Sequence, residues 1–171
     1  PDSRPLEDGD TVTLDGTAFI HGVHGDTDAT FLVGAVDDES RLLVDRTHEA
    51  MMRGIRAARP GRAINVIGRV IESYAKRFGY GVVRDFTGHG IGTAFHSRLN
   101  IPYYDDATLD DQTTLRITYT TQPMINHGDA GSYIMDVGRL RAPHDAPPPG
   151  AVNHTPHRAW GDGTDPSHPR A

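Results

Sequence analysis

The chain has 171 residues, with 17 Lys and Arg against 23 Asp and Glu, a net charge of −6, and no cysteine. That length supports one domain with a real core, the missing cysteines exclude disulfides and thiolate metal sites, and an acidic balance without a basic stripe argues against a nucleic-acid partner. No signal peptide opens the chain and no apolar run approaches the roughly 18 residues of a membrane span, so the reading is a cytoplasmic protein without a membrane partner.

Residues 11–20 alternate, with Val12, Leu14, Ala18 and Ile20 on one face and Asp15 on the other. This predicts a half-buried strand whose apolar face is Val12, Leu14, Ala18 and Ile20. Residues 21–25 are turn material, and 27–33 read as the return strand. Asp15 and Asp26 can converge in such a hairpin.

A first helix is expected over 37–58. Asp37, Asp38 and Glu39 load its first turn with negative charge, and Leu42, Leu43, Met51, Met52 and Ile55 supply its apolar positions. Pro60-Gly61 ends it. A second helix spans about 63–78, with Ile67, Val70, Ile71, Tyr74 and Phe78 at three- and four-residue spacing and Gly79 as its stop. His48 is read as solvated.

Residues 80–83 form a short apolar strand leading into Arg84-Asp85-Phe86-Thr87-Gly88-His89-Gly90-Ile91-Gly92-Thr93-Ala94-Phe95-His96. Glycines at this density let backbone approach a ligand or adopt positive φ, so the histidines among them are presented rather than packed. Residues 100–104 read as a loop, 113–120 as a strand, and 132–137 as another. Residues 139–171 hold seven prolines and four histidines and no Lys, Glu, Ile, Phe, Tyr or Met. Such a segment cannot bury enough apolar surface to offset its ordering entropy. The expected organisation is therefore a folded unit over 1–138 and a disordered tail over 139–171.

Asp15, Asp26 and a histidine from separate segments make a metal site the first hypothesis. Without cysteine the donors are carboxylate and imidazole, which suits Co, Mn, Fe or Zn. Beyond this chemistry, a set of segments resembles a known family. Pro1-Asp2-Ser3-Arg4-Pro5-Leu6-Glu7-Asp8-Gly9-Asp10, His24-Gly25-Asp26-Thr27, Val83-Arg84-Asp85-Phe86, Gly88-His89-Gly90-Ile91-Gly92, Phe95-His96, Asn100-Ile101-Pro102-Tyr103-Tyr104 and Pro123-Met124-Ile125-Asn126 are similar, in order, to type I methionine aminopeptidase, the bacterial form.

The resemblance implies an α+β fold, an incomplete pita-bread domain with a mixed antiparallel sheet and two long helices. It implies a hydrolase that removes N-terminal methionine from peptides and nascent chains, using two divalent metals held by two Asp, one His and two Glu. The Asp ligands are matched by Asp15 and Asp26, the His ligand by His89, and a substrate-contacting histidine by His96. The two Glu positions fall on Gln122 and Asn153, 31 residues apart, and neither carries a carboxylate. The family's N-terminal portion has no counterpart in the chain. The expectation is therefore an uncovered sheet face and self-association through it.

Two dications about 3.5–4 Å apart need four carboxylates to cancel their charge. With Asp15 and Asp26 alone, roughly two positive charges stay uncompensated. The expectation is at most one weakly held metal and impaired turnover. The competing reading is a non-catalytic binding module that keeps the fold without a dinuclear site. An Xaa-Pro peptidase fits the motifs less well.

Overall fold

The computed structural model describes residues 5–109 and 118–128, with the backbone of two-residue strands at 133–134 and 140–141. It opens with a long antiparallel hairpin, β1 (Thr11–Ile20) and β2 (Val23–Leu32), paired in register from Thr11↔Leu32 to Ile20↔Val23. The connection is two residues, His21 and Gly22, with φ of 52° and 83°. Two positive-φ residues match the right-handed twist of the flanking strands, so the return strand starts at Val23, four residues earlier than expected.

Which face of the hairpin is buried reverses the sequence expectation. Thr11 and Thr13 are buried, whereas Leu14 and Ile20 are each 60% exposed. The buried face instead carries the threonines and acids, and Thr13 and Thr30 bond each other across it through their hydroxyls at 2.9 Å. Alternation correctly gives a strand and two faces; it cannot say which face meets the protein.

Helix α1 (Asp38–Ala57) is capped by Asp37, whose carboxylate accepts from the Ser40 backbone N–H at 2.9 Å. That bond to Ser40 holds the Asp37 carboxyl below the usual carboxylate range. The cap's contribution is present above the unfolded-state pKa and lost as pH falls through the lowered folded value. Asp37→Ala should therefore cost about 1 kcal/mol at neutral pH. The gap between the two denaturation midpoints should begin to narrow below about pH 4 and go on narrowing as the pH falls further; a gap that stays constant all the way down to about pH 2 would contradict this.

Helix α2 (Asn65–Lys76) buries Ile67 and Ile71 completely and packs on α1 along Leu43 and Ala50. Of the apolar positions expected for α1 only Leu43 is buried; Leu42 and Ile55 are exposed, because small Ala50 and Gly54 form the stripe that lets the helices approach. His48 is exposed, as expected.

The remaining strands are short. β3 (Tyr80–Val82) pairs antiparallel with β6 (Ile125–His127), and β4 (Gly88–His89) with β5 (Asn100–Ile101). Residues 100–104 thus begin as a strand rather than a loop. β7 (Tyr133–Ile134) pairs with β8 (Leu140–Arg141). Every pairing among the described residues is antiparallel. The core joins the helices to these strands through Tyr80, Val82, Ile101, Tyr103 and Ile125. Of the strand expected over 113–120, residues 113–117 lie outside the described residues. So does the disordered tail expected over 139–171, apart from the backbone of β8; Asn153 falls in it.

The segment after β5 is seated on α2 by polar bonds. Glu72, with its side chain 9% exposed, accepts from the Asp105 N–H at 3.1 Å and pairs with Arg84 at 3.0 Å and Lys76 at 3.2 Å. Asn65 donates to the Asp105 carboxylate at 3.0 Å and accepts from the Asp106 N–H at 2.8 Å. These bonds fix β5, and through it β4 and His89.

Candidate metal centre

The hairpin register puts Thr11, Thr13, Asp15 and Thr17 opposite Leu32, Thr30, Asp28 and Asp26. Residues opposite each other on an antiparallel pair share a face. Asp15, Thr17, Asp26 and Asp28 therefore lie on one face, the one that meets the glycine-histidine segment.

Two contacts dock the hairpin there. The His24 N–H donates to the Gly92 carbonyl at 2.8 Å, and the His24 Nδ1 lies 3.1 Å from the same oxygen. The His24 ring is flanked by Phe19 at 4.4 Å and Phe95 at 5.6 Å between centroids.

The glycine-histidine segment is held from its other side. The His89 N–H donates to the Thr120 hydroxyl at 3.1 Å, and the Thr120 N–H donates back to the His89 carbonyl at 2.9 Å. Gly88 and Gly90 are needed for close approach: a Cβ at Gly88 would meet the Thr120 carbonyl oxygen, and one at Gly90 the Ser97 hydroxyl. Positive φ, the other use of glycine, is absent at Gly88, Gly90 and Gly92.

At the junction, His89 Nε2 stands 3.5 Å from Asp26 Oδ2. The Asp26 side chain is 2% exposed and that of His89 14%. Both atoms are buried, and neither has a hydrogen-bond partner. The other carboxylate oxygen, Oδ1, accepts from the Thr17 hydroxyl at 2.6 Å. His89 Nδ1 lies 3.2 Å from the Gly90 carbonyl oxygen. A carbonyl can only accept, so Nδ1 is the atom that donates to it, which leaves Nε2 as the atom facing Asp26.

Two buried polar atoms without hydrogen-bond partners thus face each other at 3.5 Å. A charge-assisted hydrogen bond would draw them to about 2.7–2.9 Å. Two ligands on one tetrahedral ion, each about 2.0–2.1 Å from it, stand about 3.4 Å apart. The 3.5 Å separation is thus nearer to the spacing of two donors around a divalent ion than to a charge-assisted hydrogen bond, and Nδ1 of His89 has the outer partner that such a ligand uses.

The other expected residues are placed as follows. Asp15 shares the face but sits opposite Asp28, and among the described residues no group of three or more His, Cys, Asp or Glu is arranged to hold a metal. His96 is exposed, its ring 4.0 Å from that of His89 and 4.1 Å from that of Phe95 between centroids. The Gln122 N–H donates to the Tyr103 hydroxyl at 2.7 Å, while its side-chain Nε2 is buried without a partner. Burial foremost, with the nearby charges of Asp28 and Asp26 adding to it, pushes the Tyr103 phenol above its usual range, so it stays protonated on this acidic side.

Sequence reasoning gives Thr17 and His24 no role. Counting back from a His21-Gly22 turn would place Thr17 opposite Asp26. No sequence signal marks the bond from His24 to Gly92, which spans 68 residues.

Comparison with known proteins gives this geometry a context. The chain is 59% identical to methionine aminopeptidase 2 of Mycobacterium tuberculosis over 138 residues, which is 81% of this chain and 48% of that protein. It superposes on the crystal structure of methionine aminopeptidase from Rickettsia prowazekii with a TM-score of 0.76 and 38% identity, over 80% of this chain and 55% of that one. Against the prolidase from Pyrococcus furiosus the TM-score is 0.63 at 26% identity, over 75% of this chain and 37% of that one. The expected pita-bread fold is therefore present, and the chain spans about half the length of the curated relatives it matches. The sequence model of metallopeptidase family M24 matches residues 1–143, most of the chain, and the chain belongs to that family.

Proposed function

We propose that this chain carries part of the metal-binding side of an aminopeptidase that removes methionine from the N-terminus of peptides and nascent chains. The observation that carries the reading is the buried, unpartnered pair of Asp26 Oδ2 and His89 Nε2 at 3.5 Å. It occurs in a chain 59% identical to a methionine aminopeptidase. The methionine aminopeptidase from Rickettsia prowazekii also superposes better than the prolidase, which favours methionine over an Xaa-Pro substrate.

Asp26 and His89 would hold one divalent ion of the Co, Mn, Fe or Zn class. When bound, such an ion supplies a water acidified to near neutrality and Lewis acidity toward a carbonyl. His96, exposed beside His89, would donate to the scissile carbonyl oxygen of a substrate. The Phe95 ring lies 5.6 Å from that of His89 and 4.1 Å from that of His96 between centroids, an apolar neighbour to both. Gln122 offers only a neutral amide and cannot act as a base. With Asn153 also uncharged, the chain's ligand set supports one metal, not two, and little turnover.

Titration with Mn²⁺ by calorimetry, beside an assay of methionine release from a short Met-initiated peptide, tests this. The expected result is one weak site and release at or near background. Two tight sites would refute the one-metal reading, and no binding at all would refute the metal centre. Gln122→Glu adds an anionic oxygen at that position. It should tighten Mn²⁺ about tenfold or more, comparable to other changes around metal sites, yet leave release undetectable. Release by this single variant would overturn the account of why activity is impaired.

A further inference from the structure

We propose that Thr17 is the positioning residue that presents Asp26 to a divalent cation, an inference that rests on the metal-centre reading above. The Asp26 carboxylate has two oxygens with different surroundings. Oδ1 takes the Thr17 hydroxyl at 2.6 Å, and Oδ2 is left buried and unpartnered, 3.5 Å from His89 Nε2. A carboxylate on a short side chain turns about its last bond at little cost. The Thr17 bond fixes the plane of that carboxylate, so that one oxygen is held on Thr17 and the other faces His89.

Thr17 and Asp26 are direct cross-strand partners near the hairpin tip, so the bond is built into the register rather than into a mobile loop. Its counterpart on the other ligand is the contact of His89 Nδ1 with the Gly90 carbonyl at 3.2 Å. Each candidate ligand thus has one atom fixed by a neighbour and one atom facing the gap. Such outer partners typically change metal affinity by 10–100-fold when removed.

The bond also explains a polar residue on an exposed part of the strand. Thr17 is exposed, so neither its burial nor its volume accounts for it. Its hydroxyl does, because it donates to a carboxylate that is itself 2% exposed.

The test compares the wild-type chain with Thr17→Val and Thr17→Ser. Valine keeps the branched shape and strand preference and removes only the hydroxyl; serine keeps the hydroxyl. Mn²⁺ affinity is read by calorimetry, and Co²⁺ is added separately to record its visible absorption, which reports the ligand field. Thr17→Val should weaken Mn²⁺ by about 10–100-fold and change the Co²⁺ spectrum, with the thermal midpoint near that of wild type. Thr17→Ser should restore both readouts. Unchanged affinity and spectrum in Thr17→Val, with wild type binding normally, would overturn the role of Thr17 alone. Absence of Mn²⁺ binding by wild type would instead overturn the metal centre on which it rests.

Discussion

Replacing Gly68 by alanine should destabilise the domain by about 3 kcal/mol, at the upper end of overpacking changes. In the interior of an exposed helix the same change is worth up to about 1 kcal/mol of stabilisation, since alanine is the better helix former. Here the sign reverses because α2 lies directly on the segment that follows β5. A methyl at Gly68 would strike the Tyr104 carbonyl oxygen and lie 2.6 Å from that of Pro102. Both obstacles are backbone and cannot swing aside as a side-chain tip can. Pro102 and Tyr103 are also buried, so the segment has no free space to retreat into.

The helix would have to lift, weakening the bonds from Asn65 and Glu72 that seat Asp105 and Asp106. Urea denaturation followed by far-ultraviolet circular dichroism reads the effect. A midpoint at or above that of wild type would show that α2 does not press on residues 102–104. Because those residues carry β5, and β5 pairs with β4 at Asn100↔His89, the same variant should also loosen Mn²⁺ binding.

How much of this is legible in the sequence differs from element to element, for physical reasons. Both helices are readable from apolar spacing and end signals, and Asp37 does cap the first. The hairpin strands are readable from alternation, but their orientation is not. Val12, Leu14, Ala18 and Ile20 look like a core face by hydrophobicity, yet the structure buries Thr11 and Thr13 on the opposite face, and Asp26 of that face meets His89. A local pattern identifies two faces; the choice between them depends on partners remote in sequence. Leu14, Ile20, Val23 and Phe31 remain exposed on the outer side of the hairpin.

The approach of Asp26 to His89 can be anticipated only through resemblance, since 63 residues separate them. The bonds that orient them come from Thr17 and the Gly90 carbonyl, one a side chain with no distinguishing context and the other main chain. Sequence periodicity carries no record of either. Gly88 and Gly90 stand out in the sequence as sources of backbone freedom; their actual use is to let Thr120 and Ser97 come close.

Asp26→Asn should lower Mn²⁺ affinity by at least about a hundredfold, beyond the 10–100-fold range of outer-partner changes. The substitution keeps size and shape and keeps an acceptor for the Thr17 hydroxyl. It removes a negative charge from a side chain 2% exposed, where little water remains to replace it. If the amide keeps its oxygen on Thr17, its NH₂ faces His89 Nε2 and can donate to the lone pair there. The variant then joins by a hydrogen bond two positions whose atoms now lack one.

That gives the prediction two readouts of opposite sign. Metal binding falls, while the stability of the metal-free chain is unchanged or rises, because a buried charge and an unpaired acceptor are both relieved. A conventional ion pair between Asp26 and protonated His89 predicts the reverse for the second readout. Breaking a buried pair by neutralising one partner costs about 3–5 kcal/mol. Denaturation in the presence of a chelator separates the two. A large loss of stability in Asp26→Asn would mean that a proton, rather than a metal ion, is what the Asp26 and His89 geometry is built to hold.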